Sequence, residues 1–219
     1  MYFAVNFQVI VTLKLLLFSQ KLPMYLHISE KSSTFAAKIT LNNYHTMISK
    51  RLEDAINDQI NAEMWSAYLY LSMSAYCQDK GYTGMANWFA IQFKEEQDHA
   101  QIFYNYLISR GGRVLLKAID AVETEWASPL AAFEATYAHE QHVTSLINNL
   151  MHIAMEEKDY AAQSRLQWFI DEQVEEEENA VEIINKLKML DGNGYGMYVL
   201  DQELAARVYA QPSPLAAKA

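Results

Sequence analysis

From Ile48 to about Gln78, apolar or small residues recur at Ile56, Ala67, Tyr70 and Ser74, the period of an amphipathic helix. Gly81 and Gly84 interrupt that pattern. A second helix is predicted from about Met85 to Arg110, with Phe89, Gln92, Glu96, His99, Phe103 and Leu107 on one stripe. Gly111-Gly112 ends it, as glycine does just past a helix. Ser128-Pro129 opens a third helix, Ser as cap and Pro in the first turn. Its stripe holds Phe133, Tyr137, Glu140, Thr144, Ile147 and Met151. Asp159 caps a fourth, striped by Leu166, Phe169, Gln173, Glu176, Ala180, Ile184 and Leu187, and the run Asp191 to Gly196 is expected to stop it. A short fifth helix is expected from Leu200 to Val208, and the Pro-containing tail 209–219 is expected to be disordered.

The links set the topology. Short turns join the first two helices and the last two, so each pair forms an antiparallel hairpin. The link from Gly111 to Ser128 is longer: its residues can extend to about 60 Å, whereas a helix of about 27 residues is roughly 40 Å long. It can run the length of the bundle and leave helices two and three parallel. The expected fold is all-α: a four-helix bundle with one long crossover and a short C-terminal fifth helix.

Polar residues on the apolar stripes carry the functional signal. Glu63, Glu96 with His99, Glu140, and Gln173 with Glu176 each lie near the middle of their own helix. Midpoints coincide in a bundle, so these groups converge at one level of the interior. Inward carboxylates are costly unless paired with positive charge, and a pair of iron ions is the simplest occupant. Glu96 and His99, at i and i+3, can reach one metal together. Carboxylates suit both iron oxidation states, and one carboxylate can bridge two ions. A structural zinc site is disfavoured, since Cys77 is the single cysteine of the chain.

Bulk properties narrow the class further. The chain has 219 residues, a net charge of −10 and no basic tail, which fits a soluble protein that attracts cations and argues against nucleic-acid binding. One cysteine rules out an intrachain disulfide and suits a reducing cytoplasm. The apolar run Val9 to Phe18 is too short to span a membrane, so no membrane partner is expected. Residues 1–46 do not share the helical pattern and are read as an atypical extension, either a start placed too far upstream or a weak targeting segment. His139, His142 and His152 lack matching partners and read as ordinary helix residues. Trp88, Trp168 and Cys77 read as packing, and Glu177 and Glu178 as a solvated face.

The segments Asn61-Ala-Glu-Met-Trp-Ser-Ala-Tyr-Leu-Tyr70, Glu95-Glu-Gln-Asp-His99, Tyr137-Ala-His-Glu-Gln141 and Leu166 to Glu177 resemble those of bacterial non-haem ferritins. The resemblance covers Met47 to about Val208 and implies a ferritin-like domain over 47–208. In the wider di-iron family the fourth helix supplies a second Glu-x-x-His; here Gln173 and Glu176 stand there, followed by Asn179. Gln-x-x-Glu is typical of ferritins proper. Bacterioferritins carry a haem-ligating Met after the second-helix Glu, where this chain has Gln97, so no haem is expected.

The resemblance, rather than spacing, implies the role of each residue. Glu63, Glu96 and His99 would hold one iron; Glu96, Glu140 and Glu176 would hold the other, with Glu96 bridging and Gln173 beside them. Glu95, Glu172 and Glu175, with Glu176, resemble a third iron site. Tyr70 matches the family's tyrosine next to the di-iron centre. The implied activity is a ferroxidase that oxidises Fe²⁺ with dioxygen or hydrogen peroxide and deposits a ferric mineral inside a cytoplasmic homo-oligomeric shell of 24 subunits. The rival readings are a di-iron oxidase or peroxidase without storage and a DNA-protecting mini-ferritin.

Overall fold

The computed structural model describes residues 47–215; the extension 1–46 and residues 216–219 lie outside the described residues. Among the described residues five helices follow one another: α1 (Lys50–Asp79), α2 (Thr83–Ser109), α3 (Pro129–Glu156), α4 (Tyr160–Leu190) and α5 (Gly194–Ala205). Local chemistry sets most of their ends. Ser49, Ser128 and Asp159 accept from the backbone N–H three residues on, at Leu52, Ala131 and Ala162, which satisfies donors that the first turn leaves free. At the end of α2, Gly111 adopts φ +73°, and the amides of Gly111 and Gly112 donate to the carbonyls of Ile108 and Leu107. That pair of reversed bonds is what a left-handed glycine allows.

The start of α2 is capped from a distance. Tyr82 offers no side-chain bond there. Instead Asp201 of α5, 6% exposed, accepts from the Met85 amide at 2.9 Å. Gly84 makes the approach possible: a Cβ on it would sit 1.6 Å from the Asp201 carbonyl oxygen. Thus α5 docks backbone to backbone on α2.

The crossover runs beside α1 in the same direction. Arg113 N–H donates to Glu53, Leu115 N–H to Asn57 Oδ1, and Asn61 and Ser72 donate to the carbonyls of Ala118 and Glu123. Trp126 then meets the Tyr76 ring edge-on at 5.3 Å. The chain therefore enters α3 at the far end of α1, and α3 runs antiparallel to α1, with Thr136 at Met73, Glu140 at Tyr70 and His139 at Ser66. Helix α4 runs antiparallel to both α2 and α3: Gln92 meets Glu176 and Phe103 meets Phe169, while Lys188 pairs with Glu134. Helices α2 and α3 are parallel, as the length of the link predicts.

Two apolar clusters fill the bundle. One gathers Tyr70, Met73, Phe89, Phe133 and Leu187. The other gathers Leu52, Phe103, Ile147, Leu166 and Phe169, with the Phe103 and Phe169 rings stacked at 4.0 Å. Burying each such side chain contributes about 1.5–3 kcal/mol. Arg110 clamps the second end, donating to both carboxylate oxygens of Asp159 at 3.1 and 3.0 Å. Among the described residues no helix is long and apolar enough to cross a membrane.

Two expectations differ. Helix α5 begins at Gly194, inside the glycine run expected only to stop the fourth helix, and it ends at Ala205 rather than Val208. The stop is confined to Asp191 and Gly192, with φ +45° and +73°. Asn193 then caps a new helix through the Gly196 amide, and burial of Leu200 and Leu204 outweighs the poor helix propensity of Gly194 and Gly196. The stretch 209–215, expected to be disordered, lies against the bundle, where Tyr209 donates to Asp98 and Leu215 packs on the second apolar cluster.

Candidate metal centre

Between the two apolar clusters lies a buried polar layer. Glu63, Glu96, His99 and Glu140 are each 1% exposed, Gln173 3% and Glu176 4%. One ligand atom from each of Glu63, Glu96 and His99 falls within 4.8 Å of the other two. His99 Nδ1 is 3.5 Å from Glu96 Oε2, as the i, i+3 spacing requires. Four atoms in this layer have no hydrogen-bond partner: Glu63 Oε2, Gln92 Oε1, Glu96 Oε2 and His99 Nε2. Buried polar atoms are nearly always paired, so four orphans at one level mark a place built for something else.

The opposite side of the layer is already hydrogen-bonded. Tyr70 donates to Glu140 Oε1, and Gln173 Nε2 donates to Glu140 Oε2 at 3.1 Å. Gln92 Nε2 donates to Glu176 Oε2 at 2.7 Å. Glu63 keeps one such bond, from Gln59 Nε2 at 2.9 Å.

Electrostatics follow from burial. Desolvation pushes the Glu96 carboxyl well above the usual range, and the His99 bond only partly opposes it. The same cause raises Glu140, against the pull of Tyr70 and Gln173. Burial and the Glu140 charge lift Glu176 to about 8. For His99, burial disfavours the charged ring, but Glu172, Glu96 and Glu63 together outweigh it and raise its pKa well above normal. Tyr70 is held neutral by burial and by the Glu140 and Glu96 charges. This is a buried, acid-rich layer in which desolvation favours the protonated form of Glu96, Glu140 and Glu176.

The residues expected for a third site are less united. Glu172 Oε1 lies 3.8 Å from His99 Nε2. Glu95 is bonded instead to Arg207 Nη2 at 2.7 Å. Glu175 is exposed, and no hydrogen bond or ion pair joins it to the others among the described residues. His139, read as an ordinary helix residue, is buried: Ser66 Oγ lies 2.8 Å from its Nε2, and burial with His142 nearby lowers its pKa to about 4.

Sequence reasoning missed Gln59 and Gln92 as partners of the acids. A signal exists for Gln59, which stands four residues before its partner Glu63, whereas Gln92 reaches Glu176 on another helix and its partner could not be read from spacing.

A four-helix bundle with one crossover and a mid-bundle layer of carboxylates and one imidazole is the architecture of the ferritin-like class, with a side-chain set that could hold metal. The particular family is equally plain. A model of the ferritin-like domain family matches residues 53–190, and the chain belongs to the ferritin family. It is 45% identical over 161 residues to a bacterial non-heme ferritin of Bacteroides fragilis, covering 74% of this chain and all of that protein. It is 42% identical over 163 residues to the Staphylococcus aureus counterpart, covering 74% of this chain and 98% of that one. Among solved structures, a closed form of Archaeoglobus fulgidus ferritin superposes with a TM-score of 0.74 at 45% identity, over 74% of this chain and 99% of that chain.

Proposed function

We propose that this chain is an iron-storage ferritin whose domain spans residues 47–208, with ferroxidase activity at the mid-bundle layer. The observation that carries the reading is the convergence of Glu63, Glu96 and His99, with orphaned atoms on all three. Those residues would hold one Fe²⁺; Glu96, Glu140 and Glu176 would hold a second, with Gln173 and Tyr70 positioning Glu140. A hard, oxygen-rich donor set with one imidazole suits ferrous iron and favours the ferric product more. Two ferrous ions supply two electrons, enough to reduce dioxygen to hydrogen peroxide or peroxide to two waters. Protons held by the buried acids leave as iron enters, so loading releases acid.

Storage requires a closed shell, for which 24 copies in the cytoplasm is the reading. Leu115, Leu116 and Ile119 of the crossover and Tyr68 and Leu71 of α1 are exposed, an apolar surface suited to a second copy. The experiment is anaerobic loading with Fe²⁺ followed by air, with oxidation rate and particle mass read together. Glu96→Ala and His99→Ala are expected to slow initial oxidation more than about 100-fold with the fold intact, since even an outer-shell partner can be worth that much. Unchanged initial rates would refute the centre. A small particle that oxidises iron but retains no mineral would refute storage.

A further inference from the structure

Glu177 and Glu178 read in sequence as one solvated face of α4, but the fold separates them. Glu178 is exposed, whereas Glu177 is half-buried and accepts from Thr144 Oγ1 of α3 at 2.6 Å. One turn earlier on α4, Gln173 is 3% exposed. Its Nε2 lies 3.1 Å from Glu140 Oε2, 3.4 Å from the Glu140 carbonyl oxygen and 3.4 Å from Thr144 Oγ1. Glu140 and Thr144 are spaced i, i+4 on α3, and Gln173 and Glu177 likewise on α4, so each helix turns its pair to the other. Hydrogen bonds thus run unbroken from the rim of the bundle to a carboxylate of the central layer.

The direction of each bond matters. A threonine hydroxyl has one proton to donate. While Glu177 takes it, Thr144 Oγ1 can only accept, so the end of the Gln173 amide that faces it must be the NH₂ group. Without Glu177, the nearest other acceptor is the Glu140 carbonyl four residues back, to which a helical threonine readily turns. That carbonyl is one of the three oxygens around Gln173 Nε2. A hydroxyl turned onto it competes with Gln173 and no longer fixes which end of the amide faces α3.

We propose that Glu177 and Thr144 are positioning residues for the second ion. By taking the Thr144 proton, Glu177 keeps Gln173 turned as a donor, and Gln173 in turn holds the Glu140 side chain in the layer. The inference rests on the two-ion centre proposed there. Glu177 acts in this role as an acceptor, and its charge is not required. The first ion, held by Glu63, Glu96 and His99, lies outside this chain of bonds.

Calorimetric titration of the assembled full-length protein with redox-silent Zn²⁺ separates the two ions. Glu177→Ala and Thr144→Val are each expected to weaken the second ion about 10-fold and to leave the first unchanged, the size usual when a ligand loses its supporting partner. Glu177→Ala changes the rim and serves if Thr144→Val does not fold. Glu177→Gln should keep the original affinity, because its amide oxygen still accepts from Thr144, and Thr144→Ser should do the same. Gln173→Leu should weaken the second ion at least as much, and adding Glu177→Ala to it should cost nothing more. Unchanged second-ion affinity in a folded Glu177→Ala protein would overturn the proposal. So would equal losses in Glu177→Gln and Glu177→Ala, or losses that simply add to that of Gln173→Leu. A single ion in the unaltered protein would refute the two-ion centre, and the proposal with it.

Discussion

The α1–α2 and α3–α4 hairpins bring similar side chains to the same layer, yet they leave them in opposite states. On the first hairpin, Glu63, Glu96 and His99 each keep a buried atom with no partner. On the second, both Glu140 oxygens and one Glu176 oxygen already accept hydrogen bonds, from Tyr70, Gln173 and Gln92. The first half is preorganised and unsatisfied; the second is satisfied and must exchange bonds to bind. A cation gains more where it relieves orphans than where it displaces donors. The two halves should therefore fill in order.

The largest test of that order is ion binding without oxygen. Glu63→Ala or His99→Ala should weaken the first Zn²⁺ or Fe²⁺ by more than about 100-fold, judged against outer-shell effects of about 10–100-fold. Glu176→Ala should leave the first ion nearly untouched and remove the second. Calorimetric titration separates the two events. Equal loss of both ions in both sets of variants would break the asymmetry.

Much of this layer was legible in the sequence because charges at helix midpoints violate the apolar stripe wherever they occur. Glu63, Glu96, His99, Glu140, Gln173 and Glu176 stand out on that ground alone. The state of each residue was not legible. Whether Glu140 is free depends on Tyr70 and Gln173 arriving from two other helices, and one-dimensional periodicity carries no such distances. The order of the segment that follows α5 was hidden for a related reason. The segment around Arg207 and Tyr209 has no helical period, and its order comes from Asn87, Glu95 and Asp98, more than a hundred residues earlier. The start of α5 was obscured because glycine near 192–196 reads as a breaker, whereas Asn193 and the Gly84 approach reverse that reading.

A smaller effect is expected in the pH dependence of the metal-free protein. Glu96, Glu140 and Glu176 have folded pKa values raised above the ordinary carboxylate value, so the folded state binds more protons than the unfolded one. Stability from these groups is present at low pH and falls as pH rises from about 4.5 towards about 8, the value to which Glu176 is lifted. Asp159 has the opposite sign. Burial alone would raise its pKa, but Arg110 and the Ala162 and Ala161 amides bring it below the ordinary value, so its contribution is lost only as pH falls through the acid range. Melting temperature should therefore decline by several degrees from pH 5 to pH 8 in the apo protein. Zn²⁺ loading should flatten or reverse that slope, because bound metal requires deprotonated ligands. An apo melting temperature that rose steadily across this window would contradict the assigned burial of charge.

The finest discrimination comes from exchanging one carboxylate oxygen for an amide in each half, again without metal. Glu96→Gln removes a buried acid whose Oε2 has no hydrogen-bond partner and replaces it with a neutral amide that is less costly to bury. Stability should rise by about 1 kcal/mol, roughly 2–4 °C in melting temperature. Glu140→Gln does the reverse. One amide oxygen can still accept from Tyr70, but the amide nitrogen then confronts the Gln173 donor, now 3.1 Å from an acceptor. Turning the amide only moves the conflict onto Tyr70. Stability should fall by about 1–2 kcal/mol, the cost of leaving a buried donor unmatched. The two substitutions are chemically identical and lie in the same layer, so opposite signs would follow the different hydrogen-bond and charge partners of the two carboxylates, His99 for Glu96 and Tyr70 with Gln173 for Glu140.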